Sequence, residues 1–158
     1  MARCGTIVLL AAGMLWQGCA TLGPPPEVAV SLVTFRPLNA ALLETSVELT
    51  LRLTNGSPEP LALRGSSHRL YLNETYVGRA LNGDAVTLPP WGSTTQNVTF
   101  FLENLALMGT VQSLGNAALI NYRLRSELHA AAPNPVRSFK ISATGQLDVR
   151  RMIEGLPR

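Results

Sequence analysis

The chain has 158 residues, 46% of them apolar and 15% charged, with 13 Lys and Arg against 10 Asp and Glu for a formal charge of +3. Such a composition excludes an intrinsically disordered chain, and the length suits one domain whose core needs no disulfide staples. The basic residues are scattered, Lys140 is the single lysine and Arg150-Arg151 the only adjacent pair, so no basic stripe interleaved with aromatics marks a nucleic-acid binder.

In chain order, Arg3 precedes an apolar run from Thr6 to Trp16, which leads into Leu15-Trp16-Gln17-Gly18-Cys19-Ala20. This is the layout of a bacterial lipoprotein signal peptide spanning residues 1–18, with Cys19 as the residue that receives the lipid. The run is too short for a membrane-spanning helix, which needs about 20 residues. Gly18-Cys19-Ala20 also satisfies the small-x-small rule for ordinary signal cleavage, so a secreted or periplasmic soluble protein is the alternative. Cys4 lies in the segment to be removed, which leaves no partner for a disulfide. Ala20 stands where an Asp would retain a lipoprotein in the inner membrane, so the expected location is the outer membrane, facing the periplasm. Residues 19–27 then form the lipidated N-terminus and a spacer, stiffened by Pro24-Pro25-Pro26, which favours extended polyproline II.

From Val28 the hydrophobic period is two. Val28, Val30, Leu32 and Thr34 alternate with Ala29, Ser31 and Val33 in a strand that ends near Arg36-Pro37. Thr45 to Thr54 is the clearest strand: Val47, Leu49, Leu51 and Leu53 point one way and Glu48, Thr50, Arg52 and Thr54 the other. One dry face and one wet face indicate an antiparallel sheet. Asn55-Gly56-Ser57-Pro58-Glu59-Pro60 ends that strand with turn chemistry. Leu61 to Leu63 resumes extension, His68 to Leu72 and Tyr76 to Leu81 flank a hairpin turn at Asn73-Glu74-Thr75, and Val86 to Leu88 is a short strand closed by Pro89-Pro90-Trp91-Gly92-Ser93. Thr94 to Leu102 follows as a strand.

Leu105, Leu107, Met108, Val111 and Leu114 then fall on helical spacing, with Asn104 to cap the start and Gly115 the end. Ala117 to His129 is the second long strand, with Ala118, Ile120, Tyr122, Leu124 and Leu128 on one face. Val136 to Ala143 and Gln146 to Val149 supply the last β elements, and residues 150–158 form a loose tail. The expected fold is mostly β: an immunoglobulin- or fibronectin-III-like antiparallel sandwich of about seven strands over residues 28–149, with one short helix and no inter-sheet disulfide.

The order of these elements resembles the group 2 late embryogenesis abundant proteins, whose domain is also called the water stress and hypersensitive response domain. The pieces that carry the likeness are Val47 to Leu53 ending in Asn55, a proline-containing turn to Leu61, and Leu70-Tyr71-Leu72-Asn73 with Val77-Gly78. Leu88-Pro89-Pro90-Trp91-Gly92-Ser93 before a strand follows, then Ile120-Asn121-Tyr122-Arg123-Leu124, Phe139 and a turn at Thr144-Gly145. The family usually has Asn-Pro-Asn after the first long strand; here Asn55 matches, Gly56 and Ser57 replace the proline and second asparagine, and Asn55, Pro58 and Pro60 are the residues of this turn motif, expected to be structural. The resemblance implies a seven-stranded sandwich with a helix, a role in desiccation or envelope stress, and no catalytic residues.

The residues agree with that last point. No His-x-x-x-His or Cys-x-x-Cys spacing marks a metal site, and no Gly-x-Ser-x-Gly elbow or phosphate loop is present. His68 and His129 are expected as exposed strand-end residues. Asn55-Gly56-Ser57, Asn73-Glu74-Thr75 and Asn97-Val98-Thr99 match the glycosylation sequon, which has no role behind a bacterial lipobox. Tyr71, Tyr76 and Trp91 are the candidate binding surface, although Trp91 is expected to cap one end of the sandwich, because a large aromatic ordinarily buries its 150–250 Å2. The expected function is a non-catalytic envelope lipoprotein without cofactor, bound to the membrane by its lipid and acting on envelope proteins or unfolded segments in stress protection. The alternative is an assembly accessory of an envelope complex.

Overall fold

The computed structural model describes residues 27–114, 119–132 and 138–148. The signal segment, Cys19, the triproline spacer and the tail lie outside the described residues. Eight strands and a helix follow in the order β1 (Val28–Ala40), β2 (Glu44–Asn55), β3 (Leu61–Leu72), β4 (Thr75–Asn82), β5 (Val86–Leu88), β6 (Ser93–Glu103), α1 (Asn104–Leu114), β7 (Leu119–Ala130) and β8 (Ser138–Asp148).

All strand pairs are antiparallel, in the order β1-β2-β6-β4-β3-β7-β8 with β5 on β3. The middle of this path is narrow. β4 meets β6 only at Gly78↔Leu102 and Arg79↔Phe101, whereas β2 and β6 pair from Glu44↔Glu103 to Thr54↔Ser93. The sheet therefore folds over at that junction into two layers, β1-β2-β6 and β4-β3-β7-β8, and its two ends, β1 and β8, come together. The result is the antiparallel sandwich that the alternation predicts.

The core lies between the layers. Val47, Leu49, Leu51 and Leu53 of β2 and Val98 and Phe100 of β6 meet Leu70, Val77, Leu124 and Leu128 from the other layer, all nearly fully buried. Each such side chain contributes roughly 1.5–3 kcal/mol on leaving water, and this row of leucines and valines is what holds the two layers face to face.

Three elements depart from the expected pattern, each because a bulge or a close contact resets the alternation. β1 shifts register between Leu32 and Thr34, so the inward set passes from Val28, Val30 and Leu32 to Phe35 and Pro37, and Thr34 turns outward to bond Thr50. One extra residue in a strand moves every following side chain to the other face. β3 does the same between Leu63 and Gly65, and so Leu61 and Leu63 join His68 to Leu72 in one strand with an internal change of phase. Thr144-Gly145 is not a turn but the middle of β8, where Gly145 lies opposite Tyr122 and a Cβ would meet the tyrosine ring at 2.7 Å; the glycine makes room for an aromatic.

Candidate functional site

One end of the sandwich is organised by Asn55, which is fully buried. Its side-chain Nδ2 donates to the carbonyls of Glu59 at 2.8 Å and Pro89 at 3.2 Å, and its Oδ1 accepts from the Ser57 amide at 3.0 Å. The Asn55 amide donates to Gly92, and the Gly56 amide donates to Glu27, where the chain enters the folded body. A single amide side chain thus ties together the turn carrying Pro58 and Pro60, the Pro89–Gly92 loop and the entry of the chain. The buried Asn55 amide would cost about 1–3 kcal/mol for each polar atom left unpaired. These bonds give Asn55 a structural place in the turn that carries Pro58 and Pro60.

Trp91 stands on the same end but does not cap it. It is 70% exposed, with φ at 49° and its amide bonded to the Ser57 carbonyl. Leu88, just before the two prolines, already fills the core at this end with no exposed surface. The turn that Gly92 closes onto Pro89 leaves the indole in solvent.

Tyr71 and Tyr76 lie at the other end of β3, beside the two-residue turn Asn73-Glu74, both of whose residues have positive φ, as right-twisted hairpins require. The two rings meet edge to face, 5.7 Å apart, and the Arg125 guanidinium lies over Tyr71 at 5.1 Å. They line one side of an open groove of about 490 Å3 with Ser67, Arg69, Arg79 and Leu81. The structure thus pairs the two tyrosines but places Trp91 almost the whole length of β3 away from them, so the three aromatics do not form one surface.

His68 is the largest correction. It is not exposed at a strand end but 1% exposed in mid-strand, because the β3 bulge turns Ser66, His68, Leu70 and Leu72 inward together. Its Nδ1 lies 2.8 Å from the Ser126 hydroxyl and its Nε2 2.9 Å from that of Ser66, with Phe100 tilted against the ring. A neutral imidazole has one donor and one acceptor nitrogen, and hydroxyls can complement both. Burial pushes its pKa down from 6.5 to about 4. His129 does reach a strand end, opposite Gly65, and is half-buried.

The far end carries a feature that the alternation does not reveal. Leu42 is 92% and Leu43 73% exposed at the β1–β2 tip, next to Leu105 and Met108, which α1 also leaves in solvent. Asn104 fixes this tip: its side chain donates to the carbonyls of Ala41 and Leu42 and accepts from the Thr45 hydroxyl, and its amide donates to Leu43. The helix therefore forms where its spacing predicts, but Ala106 and Leu107, not Leu105 and Met108, pack on the core. The sequence signal that was there to read is the absence of any charge from Pro37 to Leu43 and from Asn104 to Asn121.

Among the described residues no three His, Cys, Asp or Glu side chains converge to hold a metal, and every buried side-chain polar atom has a hydrogen-bond partner. No helix among them is long and apolar enough to cross a membrane. Residues 50–145 match the model of a family described as late embryogenesis abundant protein. The chain is similar to a protein of Arabidopsis thaliana known from a solution structure, at 15% identity and a TM-score of 0.58, over 78% of this chain and 82% of that one. A crystal structure of a protein from Archaeoglobus fulgidus aligns at 16% identity and a TM-score of 0.49, over 75% of this chain and 97% of the other. The likeness to the plant protein is one of fold. No curated protein matches the chain.

Proposed function

The chain belongs to the late embryogenesis abundant protein family, and from that premise we propose that it is a non-catalytic envelope lipoprotein of the water stress and hypersensitive response type that protects envelope components when water is scarce. The observation that carries this reading is the family match across residues 50–145, the span from the middle of β2 into β8. The polar centre gives it further support. His68, Ser66 and Ser126 resemble catalytic residue types, but their bonds to one another lie between the layers and leave none of them open to a substrate. Purified protein added to a reporter enzyme before drying is expected to preserve its activity; preservation no better than an equal mass of albumin refutes the protective role.

The tether is part of the proposal. Acylation at Cys19 holds the protein to the outer membrane, since each acyl CH2 adds about 0.8 kcal/mol of membrane affinity and several chains hold it permanently. The Glu27 end, with exposed Trp91, then faces the lipid anchor, while the Leu42–Leu43 tip faces away. Cells fed a clickable fatty acid will label the protein, and Cys19→Ser will abolish the label; a label that survives the substitution places no lipid on this residue.

The exposed aliphatic tip favours a second reading, in which the sandwich is an assembly accessory that docks this tip on a partner. Crosslinking in intact cells separates the two: one stoichiometric partner indicates the accessory, many weak ones the protectant.

A further inference from the structure

The basic residues that are scattered in the sequence converge in the fold. Register places Arg79 of β4 directly opposite Arg69 of β3, and Arg69 directly opposite Arg125 of β7. Adjacent strands lie about 4.8 Å apart, so three guanidinium-bearing side chains leave the outer face of this layer in a row about 10 Å long. Like charges directly opposite one another destabilise a sheet, and no carboxylate among the described residues pairs with any of the three.

The layers differ in charge as well. β4, β3, β7 and β8 carry Arg64, Arg69, Arg79, Arg123, Arg125 and Lys140 against Glu127, Asp148 and the turn residue Glu74, which pairs with Arg123. β1, β2 and β6 carry Arg36 and Arg52 against Glu44, Glu48 and Glu103.

We propose that this arginine row is a binding face for the phosphate groups of an anionic phospholipid surface. Arginine forks onto phosphate oxygens in a way that a lysine ammonium does not, and every member of the row is an arginine. The grooves on either side, one of about 490 Å3 beside Tyr71, Tyr76 and Leu81 and one of about 360 Å3 beside Lys140 and Ser142, are both open, which suits a planar array of headgroups rather than an enclosed small anion. Half-buried tyrosines and the exposed Leu81 border the row, the amphipathic company found where proteins meet membrane interfaces. The row runs across three strands rather than along one edge, so a peptide strand added at a sheet edge would not lie along it. The face acts whether or not Cys19 is acylated, and its failure is separable from that of the tether.

The test is flotation of the full chain with vesicles of phosphatidylcholine alone and with about 30 mol % phosphatidylglycerol. Binding to neutral vesicles reports the N-terminal tether; the excess on anionic vesicles reports the face. That excess is expected to reach about a hundredfold from three arginines and to vanish in about 0.5 M salt. It is also expected to disappear in the triple variant Arg69→Gln, Arg79→Gln, Arg125→Gln while surviving Arg52→Gln on the other layer. The triple variant should unfold within a few degrees of the parent, since the repulsion it relieves along the row offsets the loss of the Arg125 contact with the Tyr71 ring. Equal partition onto both vesicles, or an excess that persists in the triple variant, overturns the proposal. So does thermal stabilisation by inorganic phosphate, or binding of poly-glutamate, without a preference for anionic vesicles, because either assigns the row to a different ligand.

Discussion

Gly78→Ala will cost the domain about 3 kcal/mol, the upper end of what overpacking a core costs, and Gly78→Val will cost more, against a total stability of about 5–15 kcal/mol. Gly78 occupies the narrow junction where the sheet folds into two layers, paired with Leu102. A Cβ there would collide with the Phe101 carbonyl oxygen and would lie 2.7 Å from Leu102 Cδ2 and 2.9 Å from Leu102 Cα. Two of those obstacles are backbone, which cannot rotate aside as a side-chain end can. Relief requires β4 to move off β6, which opens the join between the layers and loosens Val77 and Leu102 in the core. Gly83, by contrast, has nothing within 4 Å of its would-be Cβ, and Gly83→Ala will be near neutral. Urea denaturation of the three variants checks this. A Gly78→Ala midpoint within error of the parent would show that β4 and β6 can separate at no cost.

The strands were legible wherever alternation ran unbroken. β2 is the best case: four apolar residues at every second position, all buried, with their polar neighbours turned out. The limits came from features that alternation does not encode. A bulge in β1 and another in β3 each shift the phase by one residue, and the second carries His68 from an apparent strand end into the core. Size alone predicts burial of Trp91, but Leu88 three residues earlier already closes that end and the indole stays in solvent. Val77-Gly78 was visible as a motif, but its reason, the close approach of β6, exists only once strands distant in sequence are paired.

The arginine row shows the same limit for function. Arg69, Arg79 and Arg125 look like isolated surface charges in a chain with little net charge, because the sequence does not list cross-strand neighbours. Antiparallel register makes neighbours of residues 56 positions apart as readily as of residues ten apart: Arg69 faces both Arg125 and Arg79. Uncharged runs are easier to read. The stretches from Pro37 to Leu43 and from Asn104 onward end up together at one tip because Asn104 bonds back to Ala41, Leu42 and Leu43. The two ends of the sandwich therefore differ: one receives the chain beside Trp91, and the other presents Leu42, Leu43, Leu105 and Met108, bordered by the exposed Glu44 and Glu103.

Acid will destabilise the folded domain through His68. The fold holds the neutral ring, with its pKa pushed down by burial to about 4, whereas the unfolded chain keeps the ordinary value of 6.5. Between those values the unfolded state binds the extra proton, so stability falls as pH falls. The contribution is complete above pH 6.5, declines through the window from 6.5 to about 4, and changes no further below it, where both states are protonated. The full span corresponds to about 3 kcal/mol, a large share of a typical total. Protonation also sets a second donor against Ser66 and Ser126, whose hydroxyls must then both accept. In His68→Gln the amide can still donate to one serine and accept from the other. That variant is expected to be less stable than the parent at pH 7.5 by about 1–2 kcal/mol, yet to lose far less between pH 6.5 and 4. Urea midpoints across that range, with the imidazole followed by NMR in the folded protein, give both quantities. If His68 titrates near 6.5 while the protein stays folded, or if the parent and His68→Gln lose stability in parallel, the ring is not held neutral between the two layers and the acid sensitivity has another source.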